Sequence, residues 1–282
     1  MRSRGGGRLN AQAGKQSMLR ADNLDSVARA EHARVAGELL VAREIQMGML
    51  PDPRTIDGMP PTIDFFALLE PAQEVGGDLY DAFMLDEHRL FFMIGDVSGK
   101  GVPAALFMAL AKTIAKILAR RESVPPDRLM RLVNEEVSRE NPAAMFVTAI
   151  IGVVDGRSGE VEFCNAGHNA PVLLRRKEAP RELEGAGGPP LCVADEFAYP
   201  LQRLKLNSGD ILLFITDGVS EAEDGQQAQY GSARMFDCLA RRPPSDAAEA
   251  CTQLRAAIKA FNAGAAASDE LTIMAIRFAQ KM

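Results

Sequence analysis

Cysteine, histidine, basic surplus and long apolar runs are all scarce in this 282-residue chain, and each scarcity closes off a class of protein. Four cysteines, at 164, 192, 238 and 251, form no C-x-x-C pair and no cluster, which fits neither a zinc knuckle nor a disulfide framework. They read as buried or idle thiols in a reducing compartment. His32, His88 and His168 are the three histidines, too scattered to build an imidazole-based metal site. No unbroken apolar run approaches about eighteen residues, and the start, MRSRGGGRLN, lacks the apolar centre of a signal peptide, so a cytoplasmic chain without a membrane segment is expected. With 38 acidic against 32 basic residues the net charge is −6, which disfavours nucleic acid as a general partner. The basic trio Arg175-Arg176-Lys177 reads as a solvated loop. Neither an internal repeat nor a long low-complexity tract is present. What is there is ordinary globular composition, 47% apolar and 25% charged, enough to bury a core.

Residues 1–21, which open basic and glycine-rich, are expected to be a disordered leader. From Asp22 to Leu50 there is no proline, and Leu24, Ala28, Val35, Leu39, Ala42, Ile45 and Met49 recur at helical spacing until Pro51 and Pro53 stop them. Ala28, Val35, Ala42 and Met49 repeat at seven, which permits a coiled coil, while Glu31 and Glu38 break the companion stripe. Pairing between copies and packing on the chain's own domain both stay open. After a polar linker over 52–61, a domain over 62–280 mixes strand and helix. The short β-rich runs TIDFFALL, DLYDAFML and RLFFMIGDV precede helices over 103–121 and 126–139. MFVTAIIGVVD, GEVEFCNAG and APVLLR then follow at antiparallel hairpin spacing, and DILLFITDGV, a helix near 245–262 and the strand LTIMAIRF close the chain. The fold class is α+β, helices over sheets.

Acidic residues stand at abrupt ends of apolar strands beside glycines in Gly76-Gly77-Asp78, Gly95-Asp96, Asp217-Gly218 and Ser268-Asp269-Glu270. Any one of them alone is by default a turn residue. Four strand ends on one side of a sheet would gather their carboxylates into a cluster whose mutual repulsion demands cations. Oxygen ligands without a histidine cluster point to Mg²⁺ or Mn²⁺, two of which can activate a water and neutralise a phosphoryl group. Adjacent glycines would let the backbone come close. Rival motifs fail on register: GDVSGKG (Gly95–Gly101) has three residues where a Walker loop needs four, and Ser98 is out of place for a nucleophile elbow. His168, in the polar turn NAGHNAP, reads as a structural or supporting residue.

These residues resemble a family, the SpoIIE/RsbU-type branch of the PP2C-like (PPM) bacterial protein phosphatases. The motifs that carry the likeness run in order: ELLVAREIQMGMLP, VGGDLYD, GDVSGKGVPAALFMA, MFVTAIIGVVD, NAGHNAP, SGDILLFITDGVSEA and SDELTIMAI. The resemblance implies an αββα sandwich of two antiparallel sheets, two Mn²⁺ or Mg²⁺ ions at one end, and metal-activated water as nucleophile. It also implies ligand roles. Asp96 would bridge both ions, Asp78 and the backbone carbonyl of Val97 would serve one, Asp217 and Asp269 the other, with Gly77, Gly95 and Gly218 shaping the floor. The implied substrate is the phosphoserine or phosphothreonine form of a STAS-type anti-sigma-factor antagonist, in a partner-switching signal or stress response. The helix over 22–50 would be a regulatory linker and a possible homodimer interface.

Departures from the pattern are Ser98 in place of a histidine found in eukaryotic-type relatives, Glu270 where a second aspartate is usual, Ala170 for a proline and Cys192 for a glycine. The general acid is therefore unassigned. A catalytically silent PP2C-fold module that sequesters a STAS-like partner is the competing expectation, and the intact aspartate set argues against it.

Overall fold

Alternation along the strands decides the architecture. A computed structural model describes residues 6–122, 124–265, 267 and 269–280. The elements are α1 (Gly6–Met49), β1 (Ile63–Glu70), β2 (Leu79–Met84), β3 (Arg89–Val97), α2 (Gly101–Glu122), α3 (Pro126–Arg139), β4 (Val147–Asp155) and β5 (Glu160–Ala166). They continue with β6 (Val172–Leu174), β7 (Arg181–Glu182), β8 (Gln202–Lys205), β9 (Ile211–Ile215), α4 (Asp217–Ser220), α5 (Gly231–Arg241), α6 (Ala247–Asn262) and β10 (Leu271–Phe278). In β3, Leu90, Phe92 and Ile94 face one apolar layer while Phe91 and Met93 face another. The strand is buried on both sides, so it reads as a continuous apolar run. β9 behaves likewise, with Leu212 and Phe214 turned one way and Leu213 and Ile215 the other.

Two five-stranded antiparallel sheets result, ordered β1-β10-β9-β6-β7 and β2-β3-β4-β5-β8. Between them lies a core of Phe65, Phe92, Ile150, Phe163, Phe214, Met274 and Ile276. Outside the second sheet, α2 and α3 bury Ala104, Met108, Ala111, Met130 and Val133. α5 and α6 cover the first with Met235, Leu239, Cys251 and Leu254. This is the expected αββα sandwich. By length and composition α2 could cross a membrane, but Ala104, Met108, Ala111 and Ala115 pack on the sheet.

The helices expected over 126–139 and near 245–262 stand at Pro126–Arg139 and Ala247–Asn262. α6 is capped by Asp246, whose side chain accepts from the Glu249 N–H. The helix expected over 22–50 begins earlier. Residues 1–5 lie outside the described residues, but from Gly6 the segment expected to be leader is already helical. The good helix formers Arg8, Leu9, Ala11, Gln12, Ala13, Lys15, Gln16, Met18, Leu19 and Arg20 outweigh the glycines that suggested disorder. The chain divides into two compact units, 1–45 and 46–282. Within the first, Arg34 pairs with Glu31 and Glu38 along the helix. Within the second, the last turn of α1 and the residues after it join the sandwich, where Met47 and Ile56 pack against the layer containing Leu50.

Candidate metal centre

Register brings the acids together. Leu79, which opens β2, pairs with Gly95 near the end of β3, and Asp96 pairs with Thr148 near the start of β4. In the other sheet Ile215, at the end of β9, pairs with Ile273 near the start of β10. The loops carrying Asp78, Asp217, Asp269 and Glu270 therefore leave their strands at one end of the sandwich. Two hydroxyls join the sheets there: Thr216 Oγ1 and Thr272 Oγ1 donate to Asp78 Oδ2 at 2.8 and 2.5 Å.

Ligand oxygens of Asp78, Asp96 and Glu270 lie within 4.8 Å of one another. Asp78 and Glu270 are buried, and Asp96 partly so. Glu270 Oε2 accepts from the Gly77 N–H at 3.3 Å. Asp269 turns outward enough for its Oδ2 to meet Lys100 Nζ at 2.9 Å, while its Oδ1 accepts from the Glu270 N–H. Ser268 lies outside the described residues.

The electrostatics are those of a site short of positive charge. Burial, then the charge of Asp96, raises the Asp78 carboxyl well above its ordinary range, against the two threonine hydrogen bonds. Burial and the charges of Asp217, Asp269 and Glu270 push Asp96 up to about 7. Asp217 and Glu270 are raised by burial first and by Asp269 second, and Lys100 opposes both shifts.

The donor set suits hard divalent cations, because every side-chain ligand is a carboxylate. Backbone fit agrees. A Cβ at Gly77 would come 2.7 Å from the Val97 carbonyl oxygen and 3.2 Å from Asp96 Oδ1, so only a glycine lets that loop close on the cradle. Gly218 is pressed against the Glu270 carbonyl, whereas Gly95 is close to Thr148 O and so serves strand packing.

Sequence reasoning placed Asp78, Asp96, Asp217 and Asp269 at strand ends, and the structure gathers them at one end. It also brings in Glu270, which the sequence set among the strand-end acids and as a departure but not as a ligand, and Thr216, Thr272 and Lys100, for which the adjacent acids and glycines were the available signal. Ser98 Oγ accepts from the Phe146 N–H at 2.9 Å, consistent with its rejection as a nucleophile. His168 is buried, with Nδ1 2.9 Å from Oγ1 of Thr148, the strand partner of Asp96, and burial lowers its pKa to about 4. It thus touches the residue that pairs with Asp96.

The sequence profile of the family described as Stage II sporulation protein E (SpoIIE) matches residues 86–279. The chain belongs to the SpoIIE family. Similar relatives of this SpoIIE-family chain include phosphoserine phosphatase RsbP of Bacillus subtilis, 27% identical over 217 residues that make up 75% of this chain and 50% of the relative. Phosphoserine phosphatase RsbU of the same organism is 26% identical, over 66% of this chain and 54% of that one. The chain spans about half or less of the length of the curated relatives it matches. Among solved structures, the SiaA-PP2C domain of Pseudomonas aeruginosa aligns with a TM-score of 0.75 at 23% identity, over 88% of this chain and 98% of that domain. The sandwich thus has the fold of the SiaA-PP2C domain and belongs to the SpoIIE family.

Proposed function

We propose that the chain is a metal-dependent protein serine/threonine phosphatase acting in the cytoplasm on a phosphorylated partner-switching protein, a STAS-type anti-sigma-factor antagonist. The observation that carries this reading is the convergence of Asp78, Asp96 and Glu270 ligand atoms within 4.8 Å, at the end of the sandwich where Asp217 and Asp269 also lie. The phosphoserine phosphatase names of RsbP and RsbU support the substrate class. Cysteines that are all free support a reducing compartment.

Two Mn²⁺ or Mg²⁺ ions are assigned to the cradle. Asp96 would be the ligand common to both, Asp78 and the Val97 carbonyl would hold one, and Asp217 and Asp269 would hold the other. When bound, the ions supply activation of a water and neutralisation of phosphoryl charge. The protein's own part is orientation. Thr216 and Thr272 fix Asp78 Oδ2, the Gly77 N–H fixes Glu270, and Gly77 itself lets the two acid-bearing loops approach.

The helix preceding the sandwich is assigned a regulatory role, as a pairing surface between copies or a means of positioning Asp78. Its last turn supplies support: the Gln46 side chain donates to Gly76 O at 2.6 Å and accepts from Gly76 N at 3.2 Å, two residues from Asp78. Val35, Leu40, Val41 and Ile45 are exposed apolar residues on the same helix, which suits a second copy of the chain.

Hydrolysis of an aryl phosphate and of a phosphorylated STAS protein, each with Mn²⁺ and with chelator, tests the assignment. Turnover that requires the ion is expected. Absence of turnover on both compounds by Mn²⁺-saturated protein would sink it.

A further inference from the structure

We infer that Lys100 contacts the phosphoryl group of the substrate and the phosphate product. The inference rests on the phosphatase reading above and adds a residue to it that the metal-ligand set does not include.

Lys100 follows Asp96 by four residues in GDVSGKG. Gly99 and Gly101, on either side of it, have φ of +90° and +70°, a backbone region that L side chains rarely adopt. Two left-handed glycines, one on each side of Lys100, thus turn the chain between the end of β3 and the start of α2. Lys100 Nζ reaches Asp269 Oδ2 at 2.9 Å, a residue 169 positions away. The turn is costly for an ordinary loop, and what it delivers is one ammonium to the mouth of the acid cluster.

The charge balance says why an ammonium is needed there. Asp78, Asp96, Asp217, Asp269 and Glu270 crowd one end of the sandwich, and the charge of Lys100 acts on both Asp217 and Glu270. Divalent ions would neutralise the carboxylates, but a phosphate monoester arrives as a further dianion among them. A cation fixed beside the ligand Asp269 attracts that dianion where the carboxylates alone repel it. The Lys100 side chain is half exposed, at 50%, and so stays accessible to a solute that reaches the acid cluster. As a structural link the pair would count for little, because an ion pair this exposed contributes weakly to stability. Ser98, the other polar side chain of the loop, is turned to the Phe146 N–H instead.

The test uses the full chain saturated with Mn²⁺, in wild-type form and as Lys100→Met and Lys100→Arg. Inorganic phosphate binding is read by calorimetry, Mn²⁺ affinity by titration, and KM and kcat with an aryl phosphate. Loss of a charge-assisted contact should weaken phosphate binding and raise KM for Lys100→Met by about tenfold or more. Mn²⁺ affinity should hold or tighten, since Asp269 loses its competing partner, and Lys100→Arg should keep most of the phosphate affinity. Phosphate binding unchanged in Lys100→Met overturns the inference, and so does a loss that only tracks a loss of Mn²⁺. A wild-type protein that binds Mn²⁺ but neither binds phosphate nor turns over substrate would count against the phosphatase reading itself.

Discussion

Asp96 shows how burial and like charge act together on one carboxyl. Its neighbours Asp217, Asp269 and Glu270 and its own desolvation push it up to about 7, so near neutrality a metal-free site holds its charge at a cost. Asp96→Asn keeps the shape and removes that charge. The variant should lose metal-dependent turnover while the metal-free protein becomes more stable, by at most about 4 kcal/mol above pH 7. Chemical denaturation in chelator and a turnover assay check the two halves separately, and near-wild-type activity would refute the bridging role. Gly77 makes the complementary case, where what matters is a missing atom. In Gly77→Ala the added Cβ meets the Val97 carbonyl at 2.7 Å, so the loop must retreat from the very oxygen assigned to an ion. Overpacking of this kind costs about 1–3 kcal/mol. The expected signature is weaker Mn²⁺ binding by titration with the circular dichroism spectrum retained, and wild-type Mn²⁺ affinity would remove the cradle argument.

At the scale of elements, the last turn of α1 is tied to the site through one side chain. Gln46 clamps both polar groups of the Gly76 peptide, and Gly76 sits two residues before Asp78. Gln46→Ala removes both hydrogen bonds, each worth about 1 kcal/mol net, so Mn²⁺ affinity should fall by roughly three- to thirtyfold. Calorimetric titration of Mn²⁺ into the variant reads this directly, and an unchanged affinity would leave the helix without a route to Asp78. Elements were unevenly legible in the sequence. Helices α3 and α6 stood out because the 3.6 period dominates each, and strand β10 because it is buried at nearly every position and reads as a short, nearly continuous apolar run. β7, β8 and α5 escaped notice: the two-residue β7 and four-residue β8 are exposed or half-exposed edge segments with no apolar signature, and α5 follows a polar turn without a side-chain cap. The helical start at Gly6 was hidden by glycines whose local penalty the surrounding residues offset. At the site, aspartates beside glycines marked the strand ends, but Glu270 and Lys100 could be placed only once register had folded distant segments together. Period and composition describe an element, whereas a cluster belongs to the topology.

For the whole molecule, the acid cluster makes stability depend on pH and on metal in opposite senses. Asp78, Asp96, Asp217 and Glu270 all have carboxyls raised in the fold, so the native state binds protons more tightly than the unfolded chain does. A group raised in this way stabilises the fold fully below its unfolded value, near 4, and that contribution is lost as pH rises through the folded value, about 7 for Asp96. Buried His168, lowered to about 4, acts in the opposite sense below its ordinary 6.5, so in chelator the melting temperature should fall between about pH 6.5 and about pH 8. A divalent ion competes with those protons and binds the native state, so the stabilisation by saturating Mn²⁺ should grow over the same interval. The net charge of −6 adds a general repulsion of the same sign, which Asp96→Asn separates from the local effect. Its metal-free melting curve should be flatter with pH than that of the wild type, because a carboxyl raised to about 7 has been removed. Melting temperatures that are level between about pH 6.5 and about pH 8 in chelator, or a Mn²⁺ stabilisation that shrinks as protons leave, would show that these carboxylates do not form the ion-demanding cluster on which the catalytic reading depends.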